Sequence, residues 1–105
     1  MMIRVLVVDD HDLVRMGIVR MLSDSPDIDV IGEAADGETA IIKTKQLKPD
    51  VVLLDVNMPT IGGLEVTKRL LQTDKNTKIL AVSSLVQQPY PSMLIKAGVS
   101  GYITK

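Results

Sequence analysis

The chain has 105 residues, which is enough for one compact domain that buries a core of its own. Hydrophobic residues make up 46% and aromatic residues only 2%, so intrinsic disorder is excluded and the core must consist of aliphatic side chains and methionine. The 12 basic residues are balanced by 13 acidic ones, so the chain lacks the excess of positive charge that binding to a nucleic-acid backbone requires. The lack of cysteine excludes disulfides and thiolate metal sites.

The first predicted element is a β-strand at Ile3–Val8, where nearly every residue is apolar. This run is too short for a signal peptide or a membrane span, so we predict no targeting segment, no membrane partner and a cytoplasmic location. A helix follows, with Asp12 as the expected N-cap. Its apolar positions recur at helical spacing and are Val14, Ile18, Met21 and Leu22.

The rest of the chain repeats this alternation of strand and helix. Further strands are predicted at Val30–Glu33, Val51–Leu54, Ile79–Val82 and Gly101–Thr104. Further helices are predicted at Glu38–Leu47, from Leu64 to Leu71 after a turn at Gly62 and Gly63, and at Met93–Ala97 before Gly98. Five such strands and four helices predict a single α/β domain over residues 1–105, with a parallel sheet covered by helices on both faces.

Five polar residues directly follow the predicted strands: Asp9, Asp10, Asp55, Ser83 and Lys105. The carboxyl ends of parallel strands meet at one edge of a sheet, so these side chains are expected to converge there. Taken singly, each aspartate has an ordinary interpretation as a turn or helix-capping residue. Together the carboxylates repel one another, a cost that a purely structural arrangement would avoid. A divalent cation removes this repulsion, and Mg²⁺ suits such oxygen ligands.

The motifs VLVVDDHDLVR, PDVVLLDVNMP, AVSS and GYITK occur in this order along the chain. With them the sequence resembles, over its whole length, the receiver domain of a two-component response regulator. The resemblance implies a flavodoxin-like, doubly wound sheet with the strand order 2-1-3-4-5. It also implies a phosphoprotein that switches conformation to control an output, and that performs only slow self-phosphorylation and self-dephosphorylation rather than enzymatic turnover.

Roles for individual residues follow from this resemblance. Asp55 matches the residue that accepts phosphate from the phosphohistidine of a sensor kinase or phosphotransfer protein, and it also contacts the metal. Asp10 matches the direct Mg²⁺ ligand, Asp9 a ligand that acts through water, and Asn57 the position whose backbone carbonyl binds the ion. A carboxylate can attack phosphorus when cations neutralise the charge on the phosphoryl oxygens, which agrees with these roles.

The switch is also implied by the resemblance. Lys105 would supply a cation to the phosphoryl group, and Ser83 would donate its hydroxyl to a phosphoryl oxygen, with Ser84 as a competitor for that role. The inward movement of Ser83 would let Tyr102 rotate toward the core. Tyr102 has the simpler interpretation of a half-buried aromatic residue.

The sequence departs from the family pattern after Lys105, where a fifth helix is normally found. We therefore expect a truncated receiver whose uncovered apolar strip favours a homodimer. The DDHDLVR and GVSGYITK segments resemble the branch of transcription regulators with a C-terminal LuxR-like helix-turn-helix. DNA would then be bound only by a domain that is absent from this chain.

Two other classes of protein share this architecture. A haloacid dehalogenase also forms an aspartyl phosphate with Mg²⁺, but it needs an acidic residue two positions after the nucleophile, where this chain has Asn57. A nucleotide- or flavin-binding module would need a glycine-rich phosphate loop, and neither G-x-G-x-x-G nor a Walker A sequence is present. His11 is not expected to bind the metal, because its side chain can point away from the Asp pair and Mg²⁺ prefers oxygen.

Overall fold

The structure is a computed structural model that describes residues 2–55, 63–73, 76–83, 98 and 100–104. Its strands are β1 (Ile3–Val8), β2 (Ile28–Ala34), β3 (Val51–Asp55), β4 (Lys78–Ser83) and β5 (Gly101–Thr104). Its helices are α1 (Asp12–Ser23), α2 (Gly37–Leu47) and α3 (Gly63–Thr73). Among the described residues, no helix combines the length and apolar character needed to cross a lipid bilayer.

The strands form one parallel sheet in the order β2-β1-β3-β4-β5, which confirms the predicted fold and strand order. Strands β1 and β3 lie in its interior, where Val8 pairs with Leu54. Interior parallel strands are buried on both faces, which explains why Val5–Val8 and Val51–Leu54 are continuously apolar. The reversal of strand order between β1 and β3 leaves a crevice at their carboxyl ends, and ligands bind at this position in open sheets.

The main core lies between the sheet and helices α2 and α3. Its buried members are Leu6, Val8, Ala34, Ala40, Val52, Leu54, Val66, Leu70, Ile79 and Ala81. Side chains alternate between the two faces of a strand, so Val5 and Val7 are buried on the opposite face, where α1 contacts β1 and β2. Helices therefore cover both faces, as the sequence predicts.

Helix α1 differs from its prediction in two ways. It begins at Asp12, so its N-cap is His11, and the Asp12 carboxylate binds Arg15 Nη2 at 2.7 Å instead of capping the helix. The face of α1 that is turned toward the sheet also differs from the predicted apolar face. Arg15 is partly buried on it, whereas Met21, a predicted member, is 75% exposed. Arg15 therefore shares with Ile18 and Leu22 the partly buried face of the helix.

Strand β2 begins before and ends after the predicted Val30–Glu33 segment. It lies at the edge of the sheet, where a strand need not be apolar, so the exposed Asp29 masks its start in the sequence. The predicted helix at Met93–Ala97 lies outside the described residues. Gly98, which was expected to end that helix, has φ +114°, a conformation that glycine adopts readily.

Helix α2 begins with a well-formed cap. The Asp36 carboxylate accepts the backbone N–H of Thr39 at 2.7 Å, and this backbone hydrogen bond is the largest of the effects that lower the Asp36 pKa below 3.8. Because folding lowers the pKa of Asp36, the ionised cap stabilises the fold fully when the pH is above the pKa of this group in the unfolded chain. This stabilisation is lost as the pH falls through the folded pKa.

We expect Asp36→Ala to lower the free energy of unfolding by about 0.5 to 2 kcal/mol at neutral pH, because an N–H of the first helical turn loses its acceptor. Urea denaturation measures the loss. Asp36→Asn is the matched control, because it keeps the oxygen and removes the charge, so it should lose less. The difference between the unaltered chain and the Asp36→Asn chain should shrink as the pH falls below 3.8, because the stabilisation from the ionised carboxylate is lost there. A difference that persists or grows in acid would contradict this account.

Candidate functional site

The carboxyl ends of β1 and β3 bring together a group of three aspartates, called here the carboxylate cluster: Asp9, Asp10 and Asp55. Asp9 follows β1 directly, and Asp55 is the last residue of β3, the adjacent strand. One ligand atom from each aspartate, together with one from His11, lies within 4.8 Å of the others. The predicted convergence of the three carboxylates is therefore observed.

The cluster is largely withdrawn from solvent. Asp9 and Asp55 are each 1% exposed, and the side chain of Asp10 is 24% exposed. Asp10 Oδ1 is buried and accepts no hydrogen bond from the part of the chain that the structure describes. Burial disfavours an ionised carboxylate, and neighbouring negative charges disfavour it further. The arrangement thus carries an electrostatic cost that a bound cation would offset.

The donor atoms are suited to a hard divalent cation. Mg²⁺ takes oxygen ligands in octahedral geometry and is usually held by one or two carboxylates while it keeps several waters. The cluster supplies carboxylate oxygens at short mutual distances, and the partial exposure of Asp10 leaves a path for water. The residues that are present therefore fit a cation of this class.

His11 contradicts the expectation that its side chain points away. Its Nδ1 lies 3.0 Å from Asp10 Oδ1, 3.2 Å from Asp9 Oδ1 and 3.8 Å from Asp55 Oδ2. Its backbone N–H also donates to Asp9 Oδ1 at 2.8 Å. The imidazole is thus the fourth member of the site, and 61% of the side chain remains exposed.

Arg15 anchors the loop between β1 and α1. Its Nη1 donates to the backbone oxygen of Asp9 at 2.6 Å, its Nε to Glu33 at 3.1 Å and its Nη2 to Asp12 at 2.7 Å. The Asp12 hydrogen bond is the main cause of the raised Arg15 pKa, although burial opposes it. Only 15% of the Arg15 side chain is exposed. A single guanidinium therefore ties the segment that carries Asp9 to the end of β2.

The remaining predicted site residues divide into two groups. Ser83 ends β4, whose preceding residue Val82 pairs with Asp55, so the Ser83 backbone lies at the same edge of the sheet as the cluster. Tyr102 lies in β5 and pairs with Ala81. Asn57, Ser84 and Lys105 lie outside the described residues.

Sequence reasoning assigned no role to Arg15 and excluded His11. A signal for Arg15 was available, because it stands three residues after Asp12, a spacing at which side chains on a helix can pair. The orientation of His11 had no such signal. It depends on the backbone conformation at the N-cap, where φ is −96° and ψ is 106°.

Comparison with known proteins gives a consistent result. A family model described as the response regulator receiver domain matches residues 5–105. The response regulator GacA of Pseudomonas viridiflava is 55% identical over 104 residues, which are 99% of this chain and 49% of that protein. The chain thus spans about half the length of the relatives that it matches. The matching family model is that of a receiver, so these comparisons give no support to the haloacid dehalogenase alternative.

Solved structures agree with this result. The LuxR-family two-component response regulator from Aurantimonas sp. SI85-9A1 superposes with a TM-score of 0.95 and 34% identity, over 100% of this chain and 75% of that one. The receiver domain of the response regulator NarL from Mycobacterium tuberculosis has a TM-score of 0.93 and 36% identity, over 98% and 83%. The predicted resemblance to the LuxR and NarL branch is confirmed at the level of this domain.

Proposed function

Because the chain belongs to the response regulator receiver domain family, we propose that it accepts a phosphoryl group on Asp55 and switches conformation in response. The observation that carries this proposal is the position of Asp55. It ends an interior strand, is 1% exposed and shares its edge of the sheet with Asp9 and Asp10. An isolated turn residue would have no need of two further carboxylates beside it.

The chemistry assigned to Asp55 is a phosphoryl transfer. One carboxylate oxygen forms a bond to phosphorus while the bond from phosphorus to the donor's imidazole nitrogen breaks, and the departing imidazole takes up a proton. The product is an acyl phosphate on Asp55. Such transfers depend mainly on positioning and charge neutralisation, which a fixed carboxylate in a cation site provides.

Mg²⁺ is the cofactor that we assign to the cluster. Asp10 and Asp55 would hold it directly, Asp9 through a water molecule, and the backbone carbonyl of Asn57 would complete the protein ligands. When bound, Mg²⁺ neutralises negative charge on the phosphoryl oxygens. The support for this assignment is the set of carboxylate oxygens within 4.8 Å of one another.

The response to phosphorylation is assigned to three further residues. Ser83 would donate its hydroxyl to a phosphoryl oxygen, Lys105 would pair with the phosphoryl charge, and Tyr102 would rotate toward the core. The position of Ser83 at the end of β4, one residue after the partner of Asp55, supports its part in this scheme. The other two roles rest on the family resemblance.

The setting of the domain is also a proposal. A sensor histidine kinase or a phosphotransfer protein would supply the phosphoryl group in the cytoplasm, and the acyl phosphate would hydrolyse slowly without an added enzyme. A helix-turn-helix domain elsewhere in the full-length protein would bind DNA and control transcription. A homodimer would link phosphorylation to that output.

The test uses acetyl phosphate as a small phosphodonor with Mg²⁺ and intact-protein mass spectrometry as the readout. The unaltered chain should gain one phosphoryl mass that is labile to base, and removal of Mg²⁺ by a chelator should prevent the gain. Asp55→Asn should abolish it, whereas Asp27→Asn, at an exposed acidic position outside the cluster, should leave it unchanged. Phosphorylation of the Asp55→Asn chain to the normal extent would refute the assignment.

A further inference from the structure

We infer that His11 Nδ1 is a direct ligand for a divalent first-row transition ion bound at the carboxylate cluster. This inference rests on the proposed function, because it assumes that the cluster is a cation site. It extends that function by giving the site a second class of ion, such as Mn²⁺ or Ni²⁺, that is bound through nitrogen as well as oxygen. Mg²⁺ would use the oxygen ligands alone.

The distances match the spacing of ligands around one ion. In an octahedron with bonds of about 2.1 Å, adjacent ligand atoms lie about 3.0 Å apart and opposite ones about 4.2 Å apart. His11 Nδ1 is 3.0 Å from Asp10 Oδ1 and 3.2 Å from Asp9 Oδ1, which are the spacings of adjacent ligands. Its distance of 3.8 Å from Asp55 Oδ2 lies between the two values. These spacings allow one ion to contact the imidazole together with Asp10 and Asp55.

The backbone holds His11 in the position that this role requires. Its N–H donates to Asp9 Oδ1 at 2.8 Å, and its carbonyl accepts the N–H of Arg15 at 2.9 Å in the first turn of α1. Although His11 is the N-cap of this helix, its side chain makes no capping hydrogen bond. The ring is thus directed to the cluster and away from the helix.

The ligand chemistry points to transition ions. An imidazole nitrogen suits ions such as Zn²⁺, Ni²⁺ and Cu²⁺, whereas Mg²⁺ and Ca²⁺ favour oxygen. Asp10 Oδ1, the cluster atom nearest to Nδ1, is buried and accepts no hydrogen bond within the described part of the chain. In such a site, the imidazole nitrogen and the carboxylate oxygens would each contribute to the affinity for a transition ion. His11 Nδ1 forms a hydrogen bond with Asp9 Oδ1 at 3.2 Å, and a transition ion would take the place of the proton in this bond. If the imidazole kept the hydrogen bond, a bound ion would have no nitrogen contact.

The presence of a single histidine makes the test specific. In tag-free protein loaded with Mn²⁺, pulsed electron paramagnetic resonance detects nitrogen atoms bonded to the ion, and an imidazole signal can come only from His11. We expect this signal in the unaltered chain and its loss in His11→Ala. Bound Mn²⁺ that shows no imidazole coupling in the unaltered chain would overturn the inference, whatever the variant does.

Affinities provide a second measurement. Loss of the imidazole should weaken Ni²⁺ binding about tenfold or more, since even the loss of an outer-shell partner of a ligand costs about 10- to 100-fold. Mg²⁺ binding should change far less. Equal weakening of both ions would overturn the inference, because it would reveal a disturbed loop and not a lost ligand.

The same samples separate this inference from the proposed function. Phosphorylation of the unaltered chain without imidazole coupling to Mn²⁺ would refute the role of His11 and leave the proposed function intact. Failure of Mg²⁺-dependent phosphorylation in the unaltered chain would refute the proposed function itself.

Discussion

The Asp55→Asn chain is expected to be more stable than the unaltered chain in metal-free buffer, by about 1 to 3 kcal/mol. Two charges about 4 Å apart repel by about 4 kcal/mol at an effective dielectric constant of about 20, and structural relaxation reduces this value. Asp55 is 1% exposed and lies beside Asp9 and Asp10, so replacing its carboxylate with an amide removes repulsion and a buried charge. The substitution that abolishes phosphorylation would thus stabilise the fold.

Urea denaturation with a chelator, and then with Mg²⁺, measures this effect. A ligand that binds only the folded state at 100 times its dissociation constant stabilises by about 2.7 kcal/mol, so Mg²⁺ should stabilise the unaltered chain markedly. It should stabilise the Asp55→Asn chain less, because one ligand is gone. Asp27→Asn removes the same charge at an exposed position and controls for net charge. If the Asp55→Asn chain were the less stable one without metal, repulsion within the cluster would not be the dominant effect.

The Arg15→Met substitution is expected to have the opposite effect on stability, with a loss of about 2 to 4 kcal/mol. Arg15 makes three hydrogen bonds, to the Asp9 backbone, Glu33 and Asp12, and its side chain is only 15% exposed. The bond to the Asp9 backbone contributes about 1.5 to 3 kcal/mol, whereas the pairs with Asp12 and Glu33, whose side chains are 80% and 44% exposed, contribute about 1 kcal/mol or less each. Met retains part of the packing of the Arg stem. Thermal or urea unfolding measures the loss.

Arg15→Met should also weaken Mg²⁺ binding, by about tenfold, because partners that orient ligands contribute this much. Arg69→Met is the matched control. Its guanidinium pairs with Glu65 at 3.3 Å on the exposed face of α3, where such pairs contribute about 1 kcal/mol or less. Arg15→Lys should recover only part of the loss, because one ammonium cannot reach three acceptors in the fork geometry. Equal effects of Arg15→Met and Arg69→Met would contradict an anchoring role for Arg15.

Much of the fold could be predicted because its signals are local. The runs Val5–Val8 and Val51–Leu54 are apolar because interior parallel strands are buried on both faces, and this burial is visible in the sequence. The start of β2 was not predicted, because an edge strand need not be apolar and so leaves no such pattern. At the edge of the sheet, the exposed Asp29 carries no sign that its backbone pairs with Arg4.

The same distinction applies to the site. Asp9, Asp10 and Asp55 could be predicted as neighbours because strand ends meet in a parallel sheet, so chain order and topology alone bring these side chains together. The roles of Ser83 and Tyr102 in a switch remain predictions. Their backbones lie in adjacent strands, as the sequence indicates.

The sequence by itself thus determined the parallel sheet and the carboxylates at its edge, since strand burial and strand ends leave a local pattern. Only the tertiary structure decided the direction of the His11 ring and the anchoring of Asp9 by Arg15. The ring direction depends on the backbone conformation at the N-cap, and the position of Arg15 depends on its contact with Glu33, on a strand distant in sequence. Side-chain direction at a helix start is a property of packing, and a linear pattern of apolar residues does not contain it.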